Sequence, residues 1–216
     1  MTRRERRMWI LAAAAALSFA GGGGAVPDKH FYAIVNEPEA AGPAGSGPAC
    51  ARTVVVTPVE IAVPYDDDRI VFRTGSYEVK YFNYDFWVSR PQDMFQQLLA
   101  QKIERARLFD AVDPQLASAR THLTLLVTID AVELVATGEL IEARLAMTLR
   151  LRDAGAEKTI WEHAFDTRRP VANDGRDVDV EETVRALNAI YTAEASSALA
   201  SLHSALRSYP GCAVQP

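Results

Sequence analysis

From Thr121 to Arg152 apolar and polar residues alternate with a period of two. Leu123, Leu125, Val127 and Ile129 stand between His122, Thr124, Leu126 and Thr128. After a Thr137-Gly138-Glu139 turn, Ala143, Leu145, Met147, Leu149 and Leu151 alternate with Glu142, Arg144, Ala146, Thr148 and Arg150. That pattern predicts a long antiparallel hairpin with one buried face. Asp153-Ala154-Gly155-Ala156 turns the chain into a third strand near Lys158 to Phe165, which completes a meander.

Two stretches change to helical spacing. Met94, Phe95, Leu98, Leu99, Ile103 and Ala106 form one stripe over Pro91 to Arg107, and Pro91 suits a first helical turn. Val180, Val184, Leu187, Tyr191, Ala195, Leu199, Leu202 and Leu206 recur every three or four residues up to Pro210. Asp179, with Glu182 three residues later, predicts the start of this long helix. Elsewhere, Val54 to Val56 and Val59 to Val63 read as a buried strand carrying Pro58, at a sheet edge or a bulge. Ile70 to Arg73 and Tyr77 to Tyr81 predict a hairpin turning at Thr74-Gly75-Ser76. Phe31 to Val35 is a short strand candidate, and Asn36 to Ala49 a linker rich in Pro, Gly and Ala. The expected fold is α/β of the α+β kind: an antiparallel-rich sheet with a long three-strand meander, one face covered by two helices.

The amino terminus adds a destination. Arg3, Arg4, Arg6 and Arg7 precede an apolar run from Met8 to Leu17, the n-region and h-region of a signal peptide. A membrane-spanning helix needs roughly 20 apolar residues, so removal is expected in preference to spanning. Ser18-Phe19-Ala20 places cleavage before Gly21, with Gly23-Gly24-Ala25 as a second option. With four arginines and one glutamate in the leader, its loss takes the formal charge from −5 to about −8. No basic patch remains to neutralise phosphates, so nucleic acid is not an expected partner. The expected organisation is a signal peptide over 1–20, a lead-in with a short strand and linker over 21–52, one domain over 53–209 and a tail over 210–216.

Export also bears on Cys50 and Cys212, the two cysteines of the chain. An oxidising periplasm favours a disulfide between linker and tail, the alternative being two unpaired thiols. Closing so long a loop is worth up to about 4 to 5 kcal/mol on the entropic model.

Catalytic chemistry leaves no trace in the motifs. His30, His122, His163 and His203 lack partners at zinc-site spacing. Asp66-Asp67-Asp68 lacks the glycine and distal glutamate of a calcium loop. Nucleophile-elbow, Walker and Rossmann patterns are missing, so neither an enzyme, a metal nor a cofactor is expected. One feature asks for a role: Tyr77, Tyr81, Phe82, Tyr84, Phe86 and Trp87 crowd a short segment. Such residues suit a contact surface with one dry and one wet edge, or packing beneath the Pro91 helix. Tyr81, Phe82, Tyr84, Phe86 and Trp87 are the candidate partner-binding residues.

Several short elements together resemble the ABC-type transport auxiliary lipoprotein family, which includes paraquat-inducible protein C. They are Val54 to Val59 with Pro58, Asp68-Arg69-Ile70-Val71-Phe72-Arg73, the Tyr84 to Trp87 approach to a Pro-started helix, and Ile160-Trp161-Glu162-His163-Ala164-Phe165. The likeness runs from Phe31 to Leu206. It implies a non-catalytic periplasmic component of an envelope lipid transport system. Its partners would be the ATPase, the permease and the MCE-domain subunit of a transporter, with phospholipid as cargo. A stand-alone lipid or small-molecule carrier, with a pocket between meander and long helix, is the alternative. Outer-membrane lipidation would need a Cys after the leader, and Gly21 follows Ala20 instead.

Overall fold

The computed structural model describes residues 27–37, 48–113, 122–172 and 178–212. The expected leader lies outside these residues. The hairpin and meander form as β7 (Leu123–Thr137), β8 (Leu140–Asp153) and β9 (Lys158–Pro170). Leu125 pairs with Leu151 and Val127 with Leu149, so the apolar positions of β7 and β8 share the face that the period-two pattern assigns them. Two extra residues interrupt the ladders, Asp130 in β7 and Ile160 in β9, and each re-aims the strand beyond it.

The remaining strands are β1 (His30–Tyr32), β2 (Cys50–Val56), β3 (Glu60–Ile61), β4 (Arg69–Thr74), β5 (Glu78–Trp87) and β6 (Phe109–Asp113). β7 organises them. One of its edges takes β8 along its full length; the other takes β2 at Leu123 to Leu125, β3 at Thr128 and Ile129, and β4 at Glu133 to Ala136, all parallel and end to end. At roughly 3.3 Å per residue, 15 residues give β7 about 50 Å, enough for three short neighbours in line. β6 extends the sheet beyond β2, while β5 and then β1 extend it beyond β4. The antiparallel pairs are β4 with β5 and the three strands of the meander.

Helices α1 (Pro91–Arg105) and α2 (Val180–Ser208) cover one face. Phe95, Leu99 and Ile103 of α1 and Leu187, Tyr191 and Leu202 of α2 join Leu125, Met147 and Leu151 in one core. Phe95 meets the Tyr191 ring edge-on at 5.5 Å between centroids. α1 stops two residues before its stripe suggests, because Arg107 takes a left-handed conformation with φ 49°. At the other end of the fold Asp179 caps α2 by accepting a hydrogen bond from the Glu182 amide, 3.2 Å. Glu182 does not return the bond to Asp179; its carboxylate pairs with Arg185.

Three expectations need adjustment. The Val54 to Val63 strand is two strands, because Pro58 lacks an N–H and ends β2, after which β3 resumes on the same neighbour. β6 went unpredicted: Phe109-Asp110-Ala111-Val112-Asp113 is too short and too acidic to show alternation. The third meander strand runs past Phe165 to Pro170.

Candidate docking surface

β5 carries the aromatic cluster, and its environment sorts the residues. Trp87 is in the core at 2% exposure, donating its backbone N–H to the Asp68 carbonyl. Tyr81 is half-buried: its hydroxyl donates to the Pro64 carbonyl and the Arg69 guanidinium lies over its ring at 4.4 Å. Phe82 packs against Phe72 across the β4–β5 pair, 4.6 Å between centroids. Three additional residues of β5 lie between the pairs Val71–Tyr81 and Arg69–Phe86, so the strand bulges through Phe82 to Asp85. Tyr84 stands on that bulge, 38% exposed.

The end of β5 meets β1. Phe31 pairs with Phe86, their rings are 5.7 Å apart, and the Lys29 ammonium sits 5.0 Å from the Phe86 centroid. Phe31 is 61% exposed, and Val88, whose N–H donates to the Tyr32 carbonyl, is similarly open. β1 pairs with β5 alone among the described strands, so no described strand takes its second edge. The structure thus brings Phe86 together with Phe31, Lys29 and Val88, leaves Tyr84 exposed on the adjoining bulge and draws Trp87 inside. Lys29 and Val88 carried no sequence signal, because each lies just outside a strand, one before the three-residue β1 and the other after the end of β5.

Two polar clusters stabilise the scaffold. Glu133, without solvent exposure, is held by Arg73 Nε at 3.1 Å and Arg144 Nη1 at 2.9 Å; Arg144 also binds Asp166, and Arg73 donates to the Tyr65 hydroxyl. Burial pushes the Tyr65 phenol up to about 12, against the pull of the neighbouring Arg73. At the opposite end Cys50 and Cys212 form a disulfide. Beside it Asp153 accepts from Arg52, from the Tyr209 hydroxyl at 2.7 Å and from the Gly155 and Ala156 amides. The Arg52 guanidinium, more than any other neighbour, holds the Asp153 carboxyl well below the usual carboxylate range.

Between the helices and the meander lies an apolar cavity of about 10 Å³, lined by Leu99, Lys102, Leu149, Trp161, Ala198 and Leu202 among others. That is room for about one water molecule. Among the described residues no three His, Cys, Asp or Glu side chains gather as a metal site, and no helix is long and apolar enough to cross a membrane.

The crystal structure of protein XCC0632 from Xanthomonas campestris, of the family model DUF330, is similar to this fold. Its TM-score is 0.66 at 16% identity, with 81% of this chain and 95% of that one covered. The crystal structure of an uncharacterized protein gives a TM-score of 0.61 at 15% identity, covering 82% and 99%. These likenesses establish the fold. Comparison with curated proteins finds no match. The model of the family described as ABC-type transport auxiliary lipoprotein component matches residues 32–196, and so takes in every strand from β2 to β9, all of α1 and most of α2. The chain belongs to that family of transport auxiliary components.

Proposed function

We propose that this chain is a non-catalytic periplasmic auxiliary subunit of an MCE-associated ABC-type envelope lipid transport system. It acts by docking on the MCE-domain subunit or the permease, in a complex powered by the ATPase and carrying phospholipid. Residues 1–20 serve as the export leader, and 53–209 act as one auxiliary domain. The observation that carries the docking reading is a β1 edge that no described strand takes, beside exposed Phe31, Tyr84 and Val88. An unpaired strand edge offers main-chain hydrogen bonds to an incoming strand, and rigid aromatic side chains supply anchors. Tyr84 and Phe86 make the contact in this reading, while Tyr81, Phe82 and Trp87 hold the strand from beneath.

The carrier alternative fares less well. Small-molecule sites commonly enclose about 300 to 1,000 Å³, far more than the cavity under α2. Crosslinking the tagged full-length chain in its native host tests the proposal. Recovery of the MCE subunit or the permease is expected, and recovery of neither overturns it. Solvent extraction of the pure protein tests the alternative, which requires a stoichiometric bound lipid.

A further inference from the structure

The face of the sheet turned away from the helices carries a groove where β2 gives way to β3. Thr57 still follows the β2 register, its N–H and hydroxyl both donating to the Leu125 carbonyl at 3.1 Å. Pro58 breaks the ladder, and pairing resumes at Glu60 opposite Thr128. The gap opens a cavity of about 260 Å³ between Thr57 and Glu60 on one side, Thr128 on the floor, and Arg150, Arg152 and Thr159 on the other.

Charge in this groove is unevenly satisfied. Arg150 is bound by Glu162 across the β8–β9 pair at 2.8 Å. Arg152, opposite Thr159, has no acidic partner among the described residues, and Glu60 has no basic one. Along β7, Arg152 is level with Thr124 and Glu60 with Thr128. Four residues along and two strands across set their Cα atoms roughly 16 Å apart. Two side chains reaching toward each other reduce that span to the length of a small molecule.

We infer that this groove binds a small zwitterion, its phosphate on the Arg152 guanidinium and Thr159 and its ammonium on Glu60. A guanidinium fork matches phosphate oxygens with charge-assisted hydrogen bonds. Glu60 selects against ligands that are anionic throughout, because a second negative charge would meet the carboxylate. Phosphoethanolamine has this chemistry, whether free or as a lipid headgroup. The inference is independent of the docking surface, which lies at the β1–β5 edge.

Calorimetric titration of the full chain with phosphoethanolamine, inorganic phosphate and ethanolamine tests it. Phosphoethanolamine is expected to bind saturably and at least about tenfold more tightly than either fragment, as one added charge-assisted contact requires. Arg152→Gln should weaken it about tenfold, and Glu60→Gln should erase the preference over phosphate. Both side chains lie on the helix-free face, so an unchanged melting temperature certifies the variants. No saturable binding, equal affinity for phosphoethanolamine and phosphate, or variants that titrate like the parent would each overturn the inference. Displacement of bound phosphoethanolamine by phosphatidylethanolamine vesicles assigns the groove to headgroups. Retained binding without displacement assigns it to the free zwitterion, and either result upholds the site.

Discussion

A carboxylate with no solvent contact, Glu133, sits between the guanidiniums of Arg73 and Arg144. Removing one member of a buried pair costs more than the pair contributes, because the remaining charge stays dehydrated. Arg144 would keep Asp166, so Glu133→Ala should cost about 3 kcal/mol, at the low end for such losses, as measured by urea denaturation. Asp153 behaves differently because its partners hold it ionised. Its folded-state pKa lies below its unfolded value, so its contribution is complete above the ordinary carboxylate range, declines below it, and is lost as the pH falls through the depressed folded-state value. Asp153→Asn should therefore lower stability at pH 7 by about 1 to 3 kcal/mol, and the gap to the parent should begin to narrow below about pH 4 and close only as the pH approaches the depressed folded-state pKa. Neither cluster could be read from the sequence. Glu133 falls in the same odd-numbered register as Leu123 to Ile129, and the extra residue at Asp130 turns it to the opposite face, where Arg73 and Arg144 enclose it.

Among the elements, long periodic segments were legible and short ones were not. The hairpin of β7 and β8 and the two helices each repeat their pattern over several turns or pleats, so one atypical residue does not hide them. β3, with two residues, and β1, with three, have no period to display; pairing with β7 and β5 makes them strands. Asp179 did announce α2, and Asp179→Ala should cost about 1 kcal/mol in thermal or chemical unfolding. The disulfide was legible as a pairing, its surroundings were not: Cys50 begins β2 instead of ending a linker, and Cys212 lies buried in a short 3-10 turn after α2. With the cysteines 162 positions apart, the Cys50→Ser, Cys212→Ser variant should lose up to about 5 kcal/mol, read as a shift of the denaturation midpoint.

For the molecule as a whole, alternation established that there is a sheet with a helix-covered face, yet gave no means of ordering the strands. Parallel pairing of β2, β3 and β4 onto one edge of β7 depends on contacts remote in sequence. The aromatic cluster illustrates the same limit: its density was plain, but the division into buried Trp87, half-buried Tyr81 and exposed Tyr84 comes from a bulge no residue pattern marks. If the β1–β5 edge is where partners attach, the Phe31→Ala, Tyr84→Ala variant should melt within a few degrees of the parent while losing its crosslinks in the native host. Surface truncations away from the core shift stability by about 0.5 kcal/mol or less.

The Cys50–Cys212 bond turns everything between those two positions into a covalent ring. Cys50 has no mate within the chain until Cys212, 162 positions later, has been made, so closure cannot guide the folding of the segment between them while it is being synthesised. With only these two thiols available, shuffling to a wrong intramolecular isomer is impossible. Once closed, the ring survives a single proteolytic nick between the two cysteines with both fragments still joined.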